Sequence, residues 1–464
     1  MKKSGVIYQY GATLCGNVIA MAYGSGCGWP SAAYSVLNSN DETPLQSGSM
    51  NVDELSWMVS LMCVGGFVGN IFYGSITNRY GRKLPLLSLA LPMTISWGLI
   101  IYATSPVYLY AARMLCGFVG AGAFIFLPLF VTEIADDSIR GSLGSLLVLS
   151  CNIGILIAFI CGNFLHYTVQ PVVLVSLPIL FFVTFSFFPE SPQYLMKVGK
   201  EEEAEKSLRF YRNVGLTTSD ETEPFKSELE KLRMSNQVLK KDYENTSITW
   251  SDLTSVSARK AITIGAVLVW LNQFCGCFAM LNYTANIFAE AGSNLTPNVS
   301  AIIVGIIQLW GAYMSTFLVD RAGRKMLFTI SSGGTAIGLT CLGTYTYLGT
   351  LGFAMDGWTW IPIVSFSFCL FIASWGVLTL PFLVIAELTP EKIRGIGTSI
   401  CMALLWIFAF LMIKYLPILS GVFGMHGCMA FFASCSFAGC LFSIFVLPET
   451  KGKSFEEILR MLEG

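Results

Sequence analysis

The sequence Asn78-Arg79-Tyr80-Gly81-Arg82-Lys83 lies between two long apolar runs. A near copy, Asp320-Arg321-Ala322-Gly323-Arg324-Lys325, lies between two others. A second phrase also occurs twice, a Glu followed by Arg-Gly at one fixed spacing. It appears first at Glu133 and Arg140, and again at Glu387 and Arg394. Because each phrase returns in the other half of a 464-residue chain, the sequence predicts two related halves.

The composition is that of a membrane protein. Hydrophobic residues make up 54% of the chain and charged residues 12%, whereas soluble proteins carry about 25% charged residues. An apolar run of roughly 20 residues can cross a bilayer as one helix. The runs predict an all-α fold with twelve transmembrane helices in two pseudo-symmetric six-helix bundles. These spans are 11–33, 56–77, 84–103, 107–130, 141–165, 171–188, 261–288, 301–319, 326–348, 360–386, 395–416 and 422–447.

The basic residues are confined almost entirely to one face of this twelve-span arrangement. Of the 28 Lys and Arg residues, only Arg113 and Lys414 fall near the opposite ends of their helices. Cytoplasmic loops collect Lys and Arg, so this face is predicted to be cytoplasmic, with both termini on it. We expect four regions: an N-terminal bundle (1–192), a cytoplasmic linker with short helices (193–260), a C-terminal bundle (261–450) and a cytoplasmic tail (451–464). In the linker, Ala204, Leu208 and Tyr211 have the spacing of an amphipathic helix.

The residues of the repeated phrases are suited to form a gate at this face. Gly81 and Gly323 suit a tight turn between helices, and Arg82 and Arg324 can pair with carboxylates in a bidentate way. We expect ion pairs to join the two bundles on the inner side and to separate when that side opens. Exposed pairs are worth about 0–1 kcal/mol each, which suits a reversible contact. The predicted gate residues are Asn78, Arg79, Arg82, Glu133, Arg140, Glu190, Asp320, Arg321, Arg324, Glu387, Arg394 and Glu449.

Together the motifs resemble the sugar porter family of the major facilitator superfamily, and the insect facilitated trehalose and hexose transporters within it. The resemblance covers nearly the whole chain and rests on both repeated phrases. It also rests on Pro189-Glu190-Ser191-Pro192, which closes the first half, and on Pro448-Glu449-Thr450-Lys451-Gly452, which closes the second. Gly28-Trp29-Pro30-Ser31 in span one and Asn152-Ile153-Gly154-Ile155-Leu156 in span five are similar to the insect proteins. The resemblance implies a transporter that works by alternating access and carries a small neutral sugar, trehalose or a hexose.

The resemblance also implies a solute site at the bilayer midplane, although several of its polar positions are altered here. Gln273, Gly276 and Tyr283 match the family pattern of span seven. Val148, Phe278 and Leu405 are apolar where relatives carry hydrogen-bonding groups. Amides and aromatic rings are the groups that hold a polyhydroxy solute. The predicted binding residues are Asn272, Gln273, Phe278, Asn282, Tyr283, Phe382 and Trp406.

The span centres hold no Asp, Glu or His. Ionisable groups inside the membrane mark proton relays, so we expect passive facilitation. We expect a monomer in the lipid bilayer that is not an enzyme, uses no cofactor or metal and binds no nucleic acid. Two alternatives remain open: a sugar sensor of transporter fold, and a carrier for a less polar solute. Sequons at Asn294 and Asn298, between spans seven and eight, predict outward glycosylation and favour the plasma membrane.

Overall fold

The structure is a computed structural model that describes residues 3–76, 79–136, 138–214, 225–234, 250–292, 295–353, 357–453, 457–458 and 460–461. The helices of the first half are α1 (Lys3–Asn38), α2 (Val52–Ile76), α3 (Lys83–Ser88), α4 (Ala90–Ile101), α5 (Pro106–Ile134), α6 (Arg140–Phe164), α7 (Gln170–Leu174) and α8 (Ser176–Phe185). Between the halves lie α9 (Pro192–Lys197), α10 (Glu201–Arg212), α11 (225–234) and α12 (Trp250–Thr254).

The second half repeats this pattern with more interruptions. Its helices are α13 (Val256–Phe274), α14 (Cys277–Asn282), α15 (Thr284–Ala291), α16 (Pro297–Ala322), α17 (Arg324–Thr350), α18 (Ile361–Ala373), α19 (Leu380–Leu388) and α20 (Arg394–Phe445). A short 3₁₀ turn, Glu391–Ile393, precedes α20.

The helices account for the twelve predicted spans. Within the described part of the chain, eight helices are long and apolar enough to cross a membrane. One of these, α20, has 52 residues and leaves helical geometry at Gly424 (φ 71°, ψ 165°), so it supplies spans eleven and twelve. Spans three, six, seven and ten are built from two or three shorter helices, and α1 forms span one. The all-α fold expected from the apolar runs is therefore confirmed.

Small residues let the helices of the first half pack backbone against backbone. A Cβ at Gly24 of α1 would lie 2.0 Å from the carbonyl oxygen of Cys151 on α6. A Cβ at Gly154 of α6 would lie 2.0 Å from the carbonyl oxygen of Met21 on α1. The two helices are thus in reciprocal contact, as small residues permit in membrane proteins. Any side chain at Gly24 or Gly154 would separate α1 from α6.

The halves meet along symmetry-related helices. The α2 helix packs on α20, and α6 packs on α16, which means that span two contacts span eleven and span five contacts span eight. A twofold axis that exchanges the halves converts the first of these pairs into the second. The α1 helix also contacts α14 and α15, its counterparts in span seven. The interface therefore follows the twofold relationship predicted from the repeated phrases.

The linker helices α9 and α10 lie against the basic face of the first half, which we call the inner face. Ala204, Leu208 and Tyr211 of α10 are buried, as their spacing predicts. Arg212 ends α10 and pairs with Asp136 at 3.1 Å between Nε and Oδ1. It also donates from Nη1 to the Ile134 carbonyl oxygen at 2.8 Å. These contacts attach α10 to the inner end of α5.

The two predicted glycosylation sites have different settings. Asn294 lies outside the described residues. Asn298 lies in the first turn of α16, and its Nδ2 donates to the carbonyl oxygen of Gly162 at 3.3 Å, across the interface between the halves. A glycan on Asn298 would have to replace this contact, and its presence stays a prediction.

Candidate functional site

A cavity of about 150 Å³ lies between the two halves. Five side-chain amides line it: Asn70, Asn152, Asn272, Gln273 and Gln308. Asn70 and Asn152 belong to the first half and the others to the second. Ligand pockets are mostly apolar with a few placed polar groups, and this cavity fits that description because apolar side chains make up most of its remaining wall.

Span seven reaches the cavity where its helix is broken. The α13 helix ends at Phe274, and Gly276 has a positive φ of 74° before α14 begins. A Cβ at Gly276 would lie 2.4 Å from the Phe432 ring, so both the conformation and the space require glycine. The break places Asn272 and Gln273, in the last turn of α13, on the cavity wall.

Gln273 carries an unused acceptor into this wall. Its Nε2 donates to Asn272 Oδ1 at 2.7 Å, and Asn272 Nδ2 donates to the Val377 carbonyl oxygen at 2.7 Å. Gln273 Oε1 is buried and has no hydrogen-bond partner. A buried polar atom without a partner costs about 1–3 kcal/mol. Oε1 is covered in this conformation, and a donor of a bound solute that reached it would remove this cost.

A second amide contact crosses the cavity. Gln308 Nε2 on α16 donates to Asn152 Oδ1 on α6 at 3.0 Å, and both side chains are buried. Asn70 also reaches across the interface, because its Nδ2 donates to the Ser399 carbonyl oxygen on α20 at 3.2 Å. The polar groups of the cavity thus connect the halves directly.

Aromatic and aliphatic side chains form the remaining wall. The rings of Phe124 and Phe382, from opposite halves, are stacked with centroids 6.3 Å apart. Trp406 packs on Gly66 across the interface, where a Cβ would lie 2.5 Å from the indole ring. The apolar substitutions noted in the sequence also face this space, since Val148, Phe278 and Leu405 line the cavity.

Five of the seven predicted binding residues line the cavity, namely Asn272, Gln273, Phe278, Phe382 and Trp406. Asn282 and Tyr283 do not. Asn282 Nδ2 donates to Phe278 O, one turn back in its own helix, at 2.9 Å. Tyr283 Oη donates to the Ile413 carbonyl oxygen on α20 at 3.1 Å. The turn between α14 and α15 directs both side chains into helix contacts on the outer side of the cavity.

Asn70, Asn152 and Gln308 line the cavity but were not predicted to. Each is a single amide within a long apolar helix, and such residues commonly bond to neighbouring helices. The available signal was their position, since polar groups near the middle of a span need a partner or a cavity.

An ion pair closes the outer side between the halves. Lys414 on α20 is buried, and its Nζ contacts Asp53 Oδ1 at the start of α2 at 2.6 Å. The same ammonium donates to Ser56 Oγ at 2.8 Å and lies 4.3 Å from the centroid of the Trp57 ring. All these partners belong to the first half, so Lys414 joins α20 to α2.

Span one meets span seven on the same side. Ser31 Oγ accepts a hydrogen bond from the Ala285 backbone N–H at 2.9 Å. The rings of Tyr34 and Tyr283 meet edge to face with centroids 5.9 Å apart. These contacts and the Asp53–Lys414 pair close the outer side of the interface in this conformation.

At the inner face, the first repeated phrase forms a compact cluster. Arg82 pairs with Glu133 Oε1 through Nη2 and Nε, both at 2.9 Å. The second carboxylate oxygen of Glu133 accepts a hydrogen bond from Ser191 Oγ. Glu190 accepts from the backbone N–H groups of Arg82 and Lys83 at 3.0–3.1 Å. We call Arg82, Glu133, Glu190 and Ser191 the N cluster.

The second half contains the same arrangement. Arg324 Nη2 pairs with Glu387 Oε1 at 2.9 Å, and Thr450 Oγ1 donates to Glu387 Oε2 at 2.5 Å. Glu449 accepts from the backbone N–H groups of Arg324 and Lys325 at 2.9 and 3.1 Å. We call Arg324, Glu387, Glu449 and Thr450 the C cluster. Its agreement with the N cluster extends the twofold relationship to individual hydrogen bonds.

In this conformation the arginine–carboxylate pairs lie within the halves, because Arg82 and Arg324 each pair with a carboxylate of their own half. The reason is geometric: the turn that carries each Arg lies beside the inner end of span four or ten of the same bundle. Each cluster therefore ties helices together within one half. Pairs between the bundles are expected when the outer side is open, and they stay a prediction.

The other predicted gate residues that the structure describes occupy the same face. Arg79 and Arg321 accept hydrogen bonds at their carbonyl oxygens, from Tyr194 Oη at 3.0 Å and from Lys451 Nζ at 2.6 Å. Arg140 begins α6 and Arg394 begins α20. Asn78 lies outside the described residues, as does the side chain of Asp320.

The equivalent acids Glu190 and Glu449 differ in their electrostatics. Burial raises the pKa of Glu190, although N–H groups of Ser191, Lys83 and Arg82 act in the opposite direction. Burial alone would also raise the pKa of Glu449. There the N–H groups of Lys451, Arg324 and Lys325 outweigh it, and the pKa of Glu449 lies below its ordinary value. The less buried C cluster thus favours the ionised carboxylate.

Arg113 is a buried cation inside the first half. Its guanidinium donates to the Gly26 carbonyl oxygen and contacts Met62 Sδ at 3.4 Å. Among the described residues no carboxylate forms an ion pair with it. Arg113 is therefore held by backbone and sulfur rather than by an acid that could exchange a proton with the cavity.

The sequence and the fold both match known transporters. The family model described as "Sugar (and other) transporter" matches residues 12–462. The chain is 33% identical over 460 residues to the facilitated trehalose transporter Tret1 of Polypedilum vanderplanki, covering 99% of this chain and 89% of that one. It is 32% identical over 436 residues to Tret1 of Culex quinquefasciatus, covering 94% and 83%.

Solved structures give the same fold. The inward-open xylose transporter XylE from E. coli superposes with a TM-score of 0.77 at 22% identity, covering 97% of this chain and 98% of that one. The proton:xylose symporter XylE bound to 6-bromo-6-deoxy-D-glucose gives 0.75 at 22% identity, with 98% and 99% coverage. From its motifs, its twofold architecture and these relatives, the chain belongs to the sugar transporter family of the major facilitator superfamily.

Proposed function

We propose that the chain is a facilitative uniporter for a neutral sugar, trehalose or a hexose, which binds in the cavity between the halves. The observation that carries this proposal is the group of side-chain amides on the cavity wall, among them Gln273, whose Oε1 has no hydrogen-bond partner. Every sugar hydroxyl can donate a hydrogen bond to such an acceptor. The names of the curated relatives, facilitated trehalose transporters, support trehalose.

The wall also suits the two chemical faces of a sugar. The amides of Asn272, Gln273 and Gln308 can bond to hydroxyls, while Phe382 and Trp406 offer flat apolar surfaces to the C–H face of a ring. We assign solute contact to the five predicted residues that line the cavity. Tyr283 would act on the closing of the outer side, while Asn282 stabilises its own helix.

Passive transport is supported by the chemistry of the lining. None of the described residues lining the cavity is an Asp, Glu, His, Lys or Arg. A proton-driven carrier needs a group that changes its charge along the path. We therefore propose flux driven by the solute gradient alone.

The inner-face residues fit a role in alternating access that differs from a direct latch. The N and C clusters would keep each bundle rigid, so that the bundles move as units, while the Asp53–Lys414 pair holds the outer side closed. We propose that the protein works as a monomer in the plasma membrane with both termini in the cytoplasm. A sugar and the lipid bilayer are its partners, with no nucleic acid involved.

A second candidate is a carrier for a less polar solute. Val148, Phe278 and Leu405 on the cavity wall favour it, since each removes a hydrogen-bonding group that the sugar porter resemblance leads one to expect. The amides on the same wall favour the sugar.

The test is uptake of labelled trehalose and glucose into proteoliposomes containing the purified protein, at about pH 5.5 and about pH 7.5, a range in which a coupling group would titrate. Saturable flux that is equal at both pH values is the expected result. Flux that needs a proton gradient would overturn facilitation. Sugar binding without flux would favour a sensor, and neither binding nor flux would favour the less polar solute.

A further inference from the structure

We infer that Asn152 is a specificity-determining residue. Together with Gln308, it forms hydrogen bonds to one hydroxyl of the solute, so that this hydroxyl is bound by both halves at once. This inference rests on the proposed function, because it identifies how the same cavity would distinguish one sugar from another. The sequence motif around Asn152 pointed to a family resemblance but did not assign the residue to the site. Its contact with Gln308 does.

The contact uses half of each amide. Gln308 Nε2 donates to Asn152 Oδ1 at 3.0 Å, which leaves the Asn152 Nδ2 donor and the Gln308 Oε1 acceptor. Neither atom has a hydrogen bond to any described residue, and neither is among the buried polar atoms shut off from the cavity. Both side chains line the cavity. Two bonded residues of the cavity wall therefore keep one donor and one acceptor unused.

A hydroxyl group matches this pair. It can accept a hydrogen bond from Asn152 Nδ2 while its own proton is donated to Gln308 Oε1. The bond between the amides fixes both side chains before the solute arrives, so less conformational freedom is lost on binding. An analogue without that hydroxyl would leave both atoms unpaired, which is how a polar site rejects a close analogue.

The position on α6 explains why Asn152 takes this role. Val148 lies four residues earlier, on the same face of the helix, and it also lines the cavity. Val148 offers no hydrogen bond, and Asn70, the other cavity amide of the first half, already donates to Ser399. Asn152 is thus the amide through which α6 can contact a solute.

The location also links recognition to movement. Asn152 lies on α6 and Gln308 on α16, and these helices pack together at the interface of the halves. A hydroxyl bound to both residues contacts both bundles. A solute that provides it would stabilise the approach of α6 to α16, whereas one that lacks it would bind mainly to the second half.

The test uses glucose and a set of monodeoxyglucoses, each lacking one hydroxyl, as inhibitors and substrates of uptake in proteoliposomes. The variants are Asn152→Leu and Gln308→Met, which keep the approximate volume and remove the amide. The control is Asn17→Leu, a buried amide on α1 that bonds to Thr13 O of its own helix. Surface abundance and the maximal rate are measured beside KM.

The parent should reject one analogue more strongly than the others. Asn152→Leu should raise the KM for glucose about five-fold, the equivalent of about 1 kcal/mol, and should abolish discrimination against that same analogue. Gln308→Met should affect the same hydroxyl, and the double variant should be little worse than either single one. The control should keep the parent's selectivity.

Different results would overturn the inference. If Asn152→Leu lowers only abundance or maximal rate, with selectivity retained, the amide bond is structural. If the two variants alter discrimination at different hydroxyls, the two residues do not bind the same hydroxyl. If the parent transports no sugar, the proposed function fails and this inference fails with it. If the parent transports sugar and the variants keep its KM and selectivity, only this inference fails.

Discussion

Lys414 and Asp53 form an ion pair of unequal burial, at 2.6 Å between Nζ and Oδ1. The Lys414 side chain is 6% exposed and that of Asp53 is 65% exposed. The cation therefore depends on the anion much more than the anion depends on the cation. Loss of either partner should weaken the outer closure, but the two losses should differ in size.

Asp53→Asn should open the outer side more than Lys414→Met does. The first change leaves a buried ammonium without its charge partner, and an uncompensated buried charge costs about 3–5 kcal/mol. The second removes the buried charge and leaves an exposed carboxylate in water. The measurement is labelling of Cys151, a cavity residue, by a membrane-impermeant maleimide added outside and located by mass spectrometry.

The exchange variant Asp53→Lys with Lys414→Asp is the control for that prediction. It restores the pair and should return labelling toward the parent level. Equal labelling in the parent and in both single variants would show that this ion pair has no part in closing the outer side.

Gln273→Ala should raise the KM for the transported sugar about two- to twelve-fold, since one uncharged hydrogen bond contributes about 0.5–1.5 kcal/mol. The matched control is Asn282→Ala, because that amide bonds to its own helix. Asn282→Ala should lower thermal stability with little change in KM. An unchanged KM for Gln273→Ala would remove Gln273 from the solute site.

Arg82→Leu and Arg324→Leu should each lower the thermal stability of the purified protein, because each strands a carboxylate that is mostly buried. The loss should be about 3 kcal/mol for the more buried N cluster and less for the C cluster. The double variant should show the sum of the two losses within about 0.5 kcal/mol, as for independent sites. A sum that falls well short would mean that the clusters cooperate across the interface.

Glu190→Gln and Glu449→Gln should alter the pH dependence of stability in opposite directions. The pKa of Glu449 is lowered, so its ionised form stabilises the folded protein above the unfolded pKa, and this contribution is lost as the pH falls through the folded value. The pKa of Glu190 is raised, so the cost of its ionisation is present at neutral pH and is relieved as the pH falls.

The measurement is the Tm of parent and variants between about pH 7 and about pH 4, the region of an ordinary carboxyl pKa. The deficit of Glu449→Gln relative to the parent should shrink as the pH falls. The Tm of Glu190→Gln should fall further below that of the parent, or lose its advantage over it, as the pH falls. Parallel curves for the two variants would contradict the opposite pKa directions.

The twofold fold could be predicted because its evidence is repeated in the sequence. Arg82 with Glu133 and Arg324 with Glu387 were identified as charged groups of one membrane face, and they are partners. What the spacing could not reveal was that each pair lies within one half. Span positions determine the depth of a side chain in the membrane, whereas the bundle it faces depends on helix packing.

The solute site was predictable only where a helix-weakening residue lies close to polar residues in an apolar span. Gln273 lies beside Gly276, and a glycine within an apolar span indicates a weak point of the helix. Asn152 and Gln308 also have glycines nearby, Gly154 and Gly311, but their helices run on without a break. Their role depends instead on a contact between residues far apart in the chain. A single sequence carries no signal for that contact.

The reciprocal contacts of Gly24 with Cys151 and of Gly154 with Met21 make the first half a stiff frame, since neither α1 nor α6 can bend there without collision. The corresponding span of the second half is divided at Gly276 and again at Tyr283. The two halves share one architecture but differ in stiffness. The paired helices α1 and α6 form a rigid reference, and the interrupted span seven opposite provides a hinge for the binding and release of solute.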